Sequence, residues 1–251
     1  MAVRALLYRR PTEPSALVIR FGAQIYSIRL RRHRRARRYT LRIHPSAREA
    51  VLTMPPRGTL EEARDFAERH GEWIASRLQG LPKAAPFVPG GMVPLRGIEH
   101  RLVHRPASRG TVWAETRDNG EPILCVAGAI EHFDRRVHDF LKREAKHDLA
   151  AAAHRYAEML DVKVRRITVR DQSSRWGSCS CAGSLSFSWR LILAPSPVLD
   201  YLAAHEVAHL VEMNHSIRFW RIVAKICPQT DRAKHWLDTH GNDLHRFGIS
   251  D

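Results

Sequence analysis

A His-Glu-x-x-His motif in the last quarter of the chain constrains its structure more than any other feature. His205 and His209 stand four residues apart, so on an α-helix both imidazoles project from one face, about one turn apart. A helix is predicted independently of the motif, because Ser196 is a good N-cap and Pro197 suits the first turn. Two imidazoles directed at one point, with the Glu206 carboxylate beside them, are typical of a metal site that keeps one coordination position open.

The third ligand of such a site is best supplied by His215, six residues after His209. Metzincins use the same spacing, but their motif places a glycine where this chain has Glu212, and their Met-turn has no counterpart here. We expect Asn214 to take the left-handed turn instead of the missing glycine. Glu212 and His235 remain alternative third ligands.

Further motifs surround the two histidines, in this order along the chain: Arg175-Trp176-Gly177-Ser178-Cys179, the segment 191–195, Tyr201, and Asn214-His215-Ser216 followed by Phe219-Trp220. With them the chain resembles the YgjP-like metal-dependent hydrolases, which are relatives of the SprT-like zincins. The resemblance is strongest over residues 165–227. It implies a zincin-like fold, a hydrolase-type site for Zn²⁺ and a role for His215 as the ligand that completes the site.

Composition limits the class of protein and its compartment. A chain of 251 residues with 44% hydrophobic residues can form one large domain or two small ones. There is no apolar run long enough to span a membrane and no secretory signal pattern, so no membrane partner is expected. Four cysteines are too few for a disulfide framework, which favours a cytoplasmic location.

The charge balance is strongly basic, with 41 lysines and arginines against 26 acidic residues. Such a charge favours nucleotides, nucleic acids or other anions as partners, although a genome rich in arginine codons explains it equally well. The densest run lies at residues 31–38, which hold six arginines. We expect this run to be a strand end and hairpin tip with solvated charge, and phosphate binding stays open as an alternative.

The order of elements predicts an α+β fold with two parts. Residues 1–130 read as a mainly β N-terminal half with one helix at about 59–79, which Thr59 and Glu62 begin with a capping box. Residues 131–251 read as a zincin-like catalytic half that contains a long helix, a β-hairpin, the His-Glu-x-x-His helix and C-terminal helices.

Substrate-binding residues are predicted around the motif helix. Segment 185–194 alternates apolar and small polar residues, so we expect an edge strand that holds an extended peptide by main-chain pairing. The candidate substrate-binding side chains are Arg175, Trp176, Asn214, Phe187 and Trp189. Cys179 and Cys181 lack the further ligands that a structural zinc site needs, and we expect them to lie in a packed turn.

These observations predict a zinc-dependent hydrolase, foremost a metallopeptidase with Glu206 as general base and a peptide or protein as substrate. One alternative is a metal-dependent nucleoside triphosphate hydrolase, which the basic charge favours but the absence of a glycine-rich phosphate loop opposes. A second alternative is a DNA-associated protease similar to SprT-like proteins. A non-enzymatic metal protein is disfavoured by the carboxylate of Glu206 beside the open position.

Overall fold

A computed structural model describes residues 14–172 and 175–249 of the chain. Helices and strands are mixed along the sequence, which confirms the predicted α+β class. The chain divides into two compact units, Met1–Leu81 and Pro82–Asp251. Within the described residues, no helix is both long enough and apolar enough to cross a membrane.

The first unit consists of one sheet and two helices. Its described elements are β1 (Ala16–Phe21), β2 (Gln24–Arg32), β3 (Thr40–His44), β4 (Glu49–Met54), α1 (Leu60–Arg69) and α2 (Gly71–Gln79). The strand order is β1-β2-β4-β3, with β2 and β4 parallel and the two outer pairs antiparallel. The arginine run therefore ends β2 and continues into a connection that passes to β3 across the end of β4. It is not the tip of a hairpin, because β2 and β3 are not neighbours.

The helix predicted at 59–79 is divided into two in the structure. His70, with φ −106° and ψ 16°, interrupts the helical backbone, and α2 begins at Gly71. A Cβ atom at Gly71 would lie 2.8 Å from a ring carbon of Phe21, so the break lets the backbone approach β1 closely. The predicted capping box is confirmed, since Thr59 and Glu62 each accept a hydrogen bond from the other's main-chain N–H.

The second unit holds two sheets and four helices within the described residues. Its strands are β5 (Met92–Leu95), β6 (Ile98–Arg105), β7 (Val112–Thr116), β8 (Pro122–Ala127), β9 (Arg166–Arg170), β10 (Gly177–Cys179) and β11 (Ser184–Ser188). Its helices are α3 (Phe133–Met159), α4 (Ser196–Ala208), α5 (Ile217–Ile226) and α6 (Thr230–His240). The sheet orders are β5-β6-β8-β7 and β10-β11-β9.

The division between the units falls about fifty residues before the predicted boundary at 130. Leu102 and Leu124 of the second sheet share one hydrophobic core with Val137 of α3 and Ala203 of α4. Strands 92–127 therefore belong to the same core as the motif helix, and the first sheet has a core of its own with α1 and α2. Strand patterns alone do not reveal which core a sheet will join.

The three-stranded sheet contradicts the predicted edge strand at 185–194. β11 lies in the middle, antiparallel to β10 and parallel to β9, and it ends at Ser188. A short 3-10 helix, Trp189–Leu193, follows it and leads toward α4. The edge that lies near the motif helix is β10, a strand of only three residues.

Candidate metal centre

Helix α4 carries the motif and is buried around most of its circumference. It begins one residue away from the prediction, because Pro195 occupies the N-cap position and Ser196 is already helical. Pro197 lies in the first turn, where a missing N–H costs no hydrogen bond. The helix ends at Ala208, and His209 forms its C-cap with a helical backbone. The one-turn separation of the two motif histidines is thus preserved at the helix end.

Three histidines converge beside this helix end. One ring nitrogen from each of His205, His209 and His215 lies within 4.8 Å of the other two, and no other such group of His, Cys, Asp or Glu side chains occurs in the described residues. The Nε2 atoms of His205 and His215 are 3.1 Å apart. The alternative third ligands Glu212 and His235 do not join this group.

A short turn places His215 opposite α4. The Asn214 side chain accepts a hydrogen bond from the Ser216 N–H at 2.9 Å, and the Ser216 hydroxyl caps α5 by accepting from the Phe219 N–H at 3.3 Å. The prediction that Asn214 adopts the left-handed conformation is wrong, because its φ is not positive. Its side-chain hydrogen bond shapes the turn in place of a glycine.

The ring of Phe219 packs against all three imidazoles. Its centroid is 4.5 Å from that of His209, in a stacked arrangement, and 4.9 Å from those of His205 and His215, both edge-on. Phe219 is completely buried, so its position is fixed by the core. One apolar side chain therefore limits the rotation of every histidine in the group.

Burial favours the uncharged, ligand-competent form of His205 and His209. Burial, followed by the neighbouring histidines, lowers the pKa of His205 to about 4, and burial also lowers the pKa of His209. His209 Nδ1 donates to the main-chain oxygen of Glu212 at 3.1 Å, which leaves Nε2 free as a ligand. The nitrogen separation of 3.1 Å between His205 and His215 is close to the roughly 3.3 Å expected for two ligands of tetrahedral zinc. The residues present fit a zinc ion.

Glu206 lies beside the histidines and is only 4% exposed. Burial raises its pKa to about 7, and the positive charge of Arg175 opposes this rise. The main chain of β10 approaches the carboxylate so closely that a Cβ atom at Gly177 would lie 2.8 Å from its Cδ. Only glycine fits this position without displacing Glu206.

Two cavities open on the histidine group, and Gly177, His205, Glu206 and His215 line both. The first, which we call the aromatic cavity, measures about 370 Å³ and is completed by Trp176, Tyr201, Leu202, Trp220, Lys234, Leu237 and Asp238. The second, which we call the strand cavity, measures about 450 Å³ and is completed by Arg175, Ser178, Cys179, His209 and Met213.

The predicted substrate-binding residues differ in their position relative to the cavities. Trp176 and Arg175 line the two cavities, as expected of residues close to a substrate. Phe187 and Trp189 have no exposed surface, so the structure contradicts their prediction as substrate contacts. Asn214 lines neither cavity.

The cysteine pair does not form a second metal site in the described residues. Cys179 lies in β10 and lines the strand cavity, and burial, followed by the charge of Glu206, raises the pKa of its thiol to about 11. A protonated thiol is a poor zinc ligand.

Several residues of the aromatic cavity were not predicted from the sequence. Lys234, Leu237 and Asp238 lie three and four residues apart on α6 and face the cavity together. Lys234 Nζ lies 5.3 Å from the ring centroid of Trp220. Helical spacing predicts that these three side chains share a face, but the sequence does not say that this face meets the histidines.

Comparison with known proteins agrees with this geometry. Residues 37–240 match the family model described as YgjP-like, metallopeptidase domain. The chain belongs to the YgjP-like metallopeptidases. The family contains metal-dependent hydrolases, so the predicted enzyme class is confirmed.

A crystal structure of the metallopeptidase zymogen abylysin from Pyrococcus abyssi matches 40% of this chain and 99% of its own, with 23% identity and a TM-score of 0.34. No protein of curated function matches the sequence.

Proposed function

We propose that this YgjP-like protein is a zinc-dependent peptidase in which His205, His209 and His215 hold the ion and Glu206 is the general base. The observation that carries the proposal is the convergence of three imidazole nitrogens within 4.8 Å of one another beside a buried carboxylate. Nitrogen ligands in this number, with one position left for water, are the donor set of catalytic zinc. Zinc bound there supplies Lewis acidity that polarises a carbonyl and lowers the pKa of water.

Glu206 moves the proton in this proposal. Its carboxylate accepts a proton from the water that attacks the peptide carbonyl carbon and passes it to the nitrogen as the C–N bond breaks. Burial suits the residue to both steps, because a pKa of about 7 allows it to gain and lose a proton near neutral pH. The contact with Gly177 holds the carboxylate in place.

The free edge of β10 is the surface that we assign to the substrate main chain. Ser188 N–H donates to the Trp176 carbonyl, and Ser180 N–H donates to the Ser184 carbonyl, so alternate residues of this segment bond to β11. The main-chain groups of Gly177 and Cys179 consequently point away from β11, toward the side that no described strand occupies. An extended peptide added there would pass next to Glu206.

The aromatic cavity is the site that we assign to one substrate side chain. Its walls include two tryptophans and a tyrosine, and its volume of about 370 Å³ accommodates a large apolar residue. Because His205, Glu206 and His215 form its inner end, the bound side chain would belong to a residue next to the cleaved bond.

A product assay with the purified chain and Glu206→Gln tests this proposal. Each protein is incubated with an unfolded protein substrate, its fragments are sequenced by mass spectrometry, and its zinc content is measured. We expect Glu206→Gln to retain zinc and to lose about 10²- to 10⁴-fold in turnover, as for removal of a general base. Cleavage next to large apolar residues would agree with the assignment of the aromatic cavity.

Glu212→Gln is the matched control, because Glu212 contributes only its main-chain oxygen to His209. This variant should keep both zinc and turnover. Unchanged turnover in Glu206→Gln would contradict the role of Glu206. Release of phosphate from nucleoside triphosphates, lost in Glu206→Gln while proteins stay intact, would replace the peptidase by the alternative hydrolase.

A further inference from the structure

The positive charge of the chain is concentrated in the first unit. Residues 1–81 contain 17 arginines, no lysine and seven acidic residues, a net charge of +10. Residues 82–251 contain 24 basic and 19 acidic residues, a net charge of +5. The unit that lacks the histidine group thus carries two thirds of the excess charge.

The connection between β2 and β3, residues 33–39, holds the densest part of this charge. We call it the arginine loop. Arg34, Arg35, Arg37 and Arg38 are all exposed, and none of their guanidinium groups forms an ion pair with a carboxylate of the described residues. Four adjacent cations without anionic partners repel one another and attract a polyanion.

The N-terminal end of the arginine loop is held in place by hydrogen bonds of Arg32 and His33. Arg32 Nη1 donates to the carbonyl oxygens of Pro55, Pro56 and Gly58 at 2.8, 3.0 and 2.8 Å. The main-chain N–H of His33 donates to Met54 O at 3.0 Å. These bonds anchor the start of the loop to the end of β4 and to the segment that follows it. The exposed arginines therefore follow an anchored stretch of main chain.

The second sheet shows that this fold does not require arginines at the position. Its strand order is the same, and its corresponding connection, residues 106–111, contains Arg109 as its single arginine. The arginines of that sheet also have partners: Arg101 pairs with Glu121 at 2.5 Å, and Arg105 pairs with Glu115 at 3.8 Å. Folding alone therefore explains neither the number of arginines in the arginine loop nor their lack of partners.

We propose that the arginine loop binds the sugar–phosphate backbone of a nucleic acid, without sequence preference. Guanidinium groups bind phosphate oxygens bidentately, and a nucleic acid supplies phosphates at short regular intervals. A lipid surface is a poorer match, because the loop lacks an apolar side chain that could insert. Its Tyr39 donates a hydrogen bond to Glu62 at 2.7 Å and packs near Phe66. The inference stands apart from the proposed peptidase reaction.

Fluorescence anisotropy of a labelled 20-base-pair duplex measures this binding with the full chain. Four phosphate contacts predict that affinity falls about 100-fold between 50 and 200 mM salt. Replacing the four arginines together (Arg34→Gln, Arg35→Gln, Arg37→Gln and Arg38→Gln) should weaken binding at least tenfold at 50 mM salt and reduce the slope of log K against log salt by up to about 3.6.

A matched control removes the same charge from the second unit. Arg109, Arg143, Arg165 and Arg166 are exposed and form no ion pair within the described residues, and their joint replacement by Gln should leave the salt slope nearly unchanged. Thermal unfolding of both variants verifies that they fold. No binding of the wild-type chain at 50 mM salt would overturn the proposal. Equal losses of DNA affinity in the two variants would overturn the assignment to the arginine loop. Binding to anionic phospholipid vesicles without binding to DNA would replace the proposed nucleic acid by a membrane surface.

Discussion

The two four-stranded sheets have the same topology and different surroundings. In each, a hairpin leads to a central parallel pair, an antiparallel strand lies outside that pair, and a helix follows the last strand. The central pair joins Leu30 to Leu52 in the first sheet and Leu102 to Leu124 in the second. The first sheet packs against α1 and α2, whereas the second packs against α3 and shares the core of the histidine group.

The comparison separates features that both sheets share, and that the topology therefore requires, from features that only one sheet has. Each sheet fully buries at least one leucine of its central pair, Leu52 in the first and both Leu102 and Leu124 in the second, so this feature belongs to folding. Within the described residues, the arginines of the β2–β3 connection form no ion pair, whereas Arg101 and Arg105 on β6 do, so the unpaired charge is a property of the first sheet alone. The same strand topology can thus form part of the core beside the histidine group, as in the second sheet, or carry an exposed charged loop, as in the first.

The largest expected effect comes from truncating the buried leucines. Leu52 and Leu124 are both fully buried, and replacing either by Ala should lower the free energy of unfolding by about 3 kcal/mol, through lost burial and the cavity that remains. Because the cores are separate, we expect Leu124→Ala to lower the unfolding midpoint of the unit that contains the histidine group, and Leu52→Ala to lower that of the first unit. Urea unfolding monitored by zinc release reports on the second unit, where we propose the zinc site, and so distinguishes the two variants. Zinc release at the same urea concentration in both variants would contradict the independence of the two cores.

A pair of glycines compares the units at the level of turnover. Gly177→Ala should lower kcat about 100-fold, since the added methyl group displaces the Glu206 carboxylate and misplacement by about 1 Å has an effect of this size. Gly58 is equally crowded, because a Cβ atom there would lie 2.7 Å from Tyr39 Cζ, but it belongs to the first unit. Gly58→Ala should therefore leave kcat unchanged. A similar loss in Gly58→Ala would show that the units do not act independently in catalysis.

The smallest expected effect is a loss of stability when the ion pair at the first turn of the second sheet is removed. Arg96, between β5 and β6, bonds to both carboxylate oxygens of Asp148 on α3 at 2.7 and 2.9 Å. Burial alone would raise the pKa of Asp148, but hydrogen bonds from Arg96 and His147 outweigh it, and the pKa is lowered. We expect Asp148→Asn to lower the free energy of unfolding at pH 7 by about 1 kcal/mol, because the pair is partly exposed.

The pH dependence of this effect follows from the lowered pKa. The folded-state value lies below the unfolded value of about 3.9, so the ion pair stabilises the protein above that pH and loses its contribution as the pH falls further. Unfolding curves of wild type and Asp148→Asn should therefore converge in acid. Asp139→Asn, which removes a more exposed pair with Arg135, should have little effect at any pH. A difference between wild type and Asp148→Asn that persists in acid would contradict the ion-pair explanation.

Local patterns predicted the elements whose physical causes are local. The capping box at Thr59, the strands of the first sheet and the helix that carries His205 and His209 each depend on residues within a few positions. The histidine group was also predictable, since His215 follows on a short turn. Its role as a ligand remains a prediction.

Other features depend on contacts between distant segments and could not be predicted. The break at His70 accommodates Phe21, and the edge position of β10 depends on which strand reaches β11. Phe187 alternates with serines as in an edge strand, yet β11 is central, and Phe187 is buried because its face of the sheet is part of the large hydrophobic core. A sequence states which residues share a face but not what that face will meet.

The packing of Phe219 against three imidazoles has a consequence for how such a centre can change over evolution. Imidazoles that touch one rigid ring cannot be repositioned independently, so a substitution at any of the three histidines disturbs the other two. A substitution at Phe219 would instead adjust the spacing of all three while keeping every donor atom. A shift toward an ion of different radius would then proceed through a residue that never binds the ion.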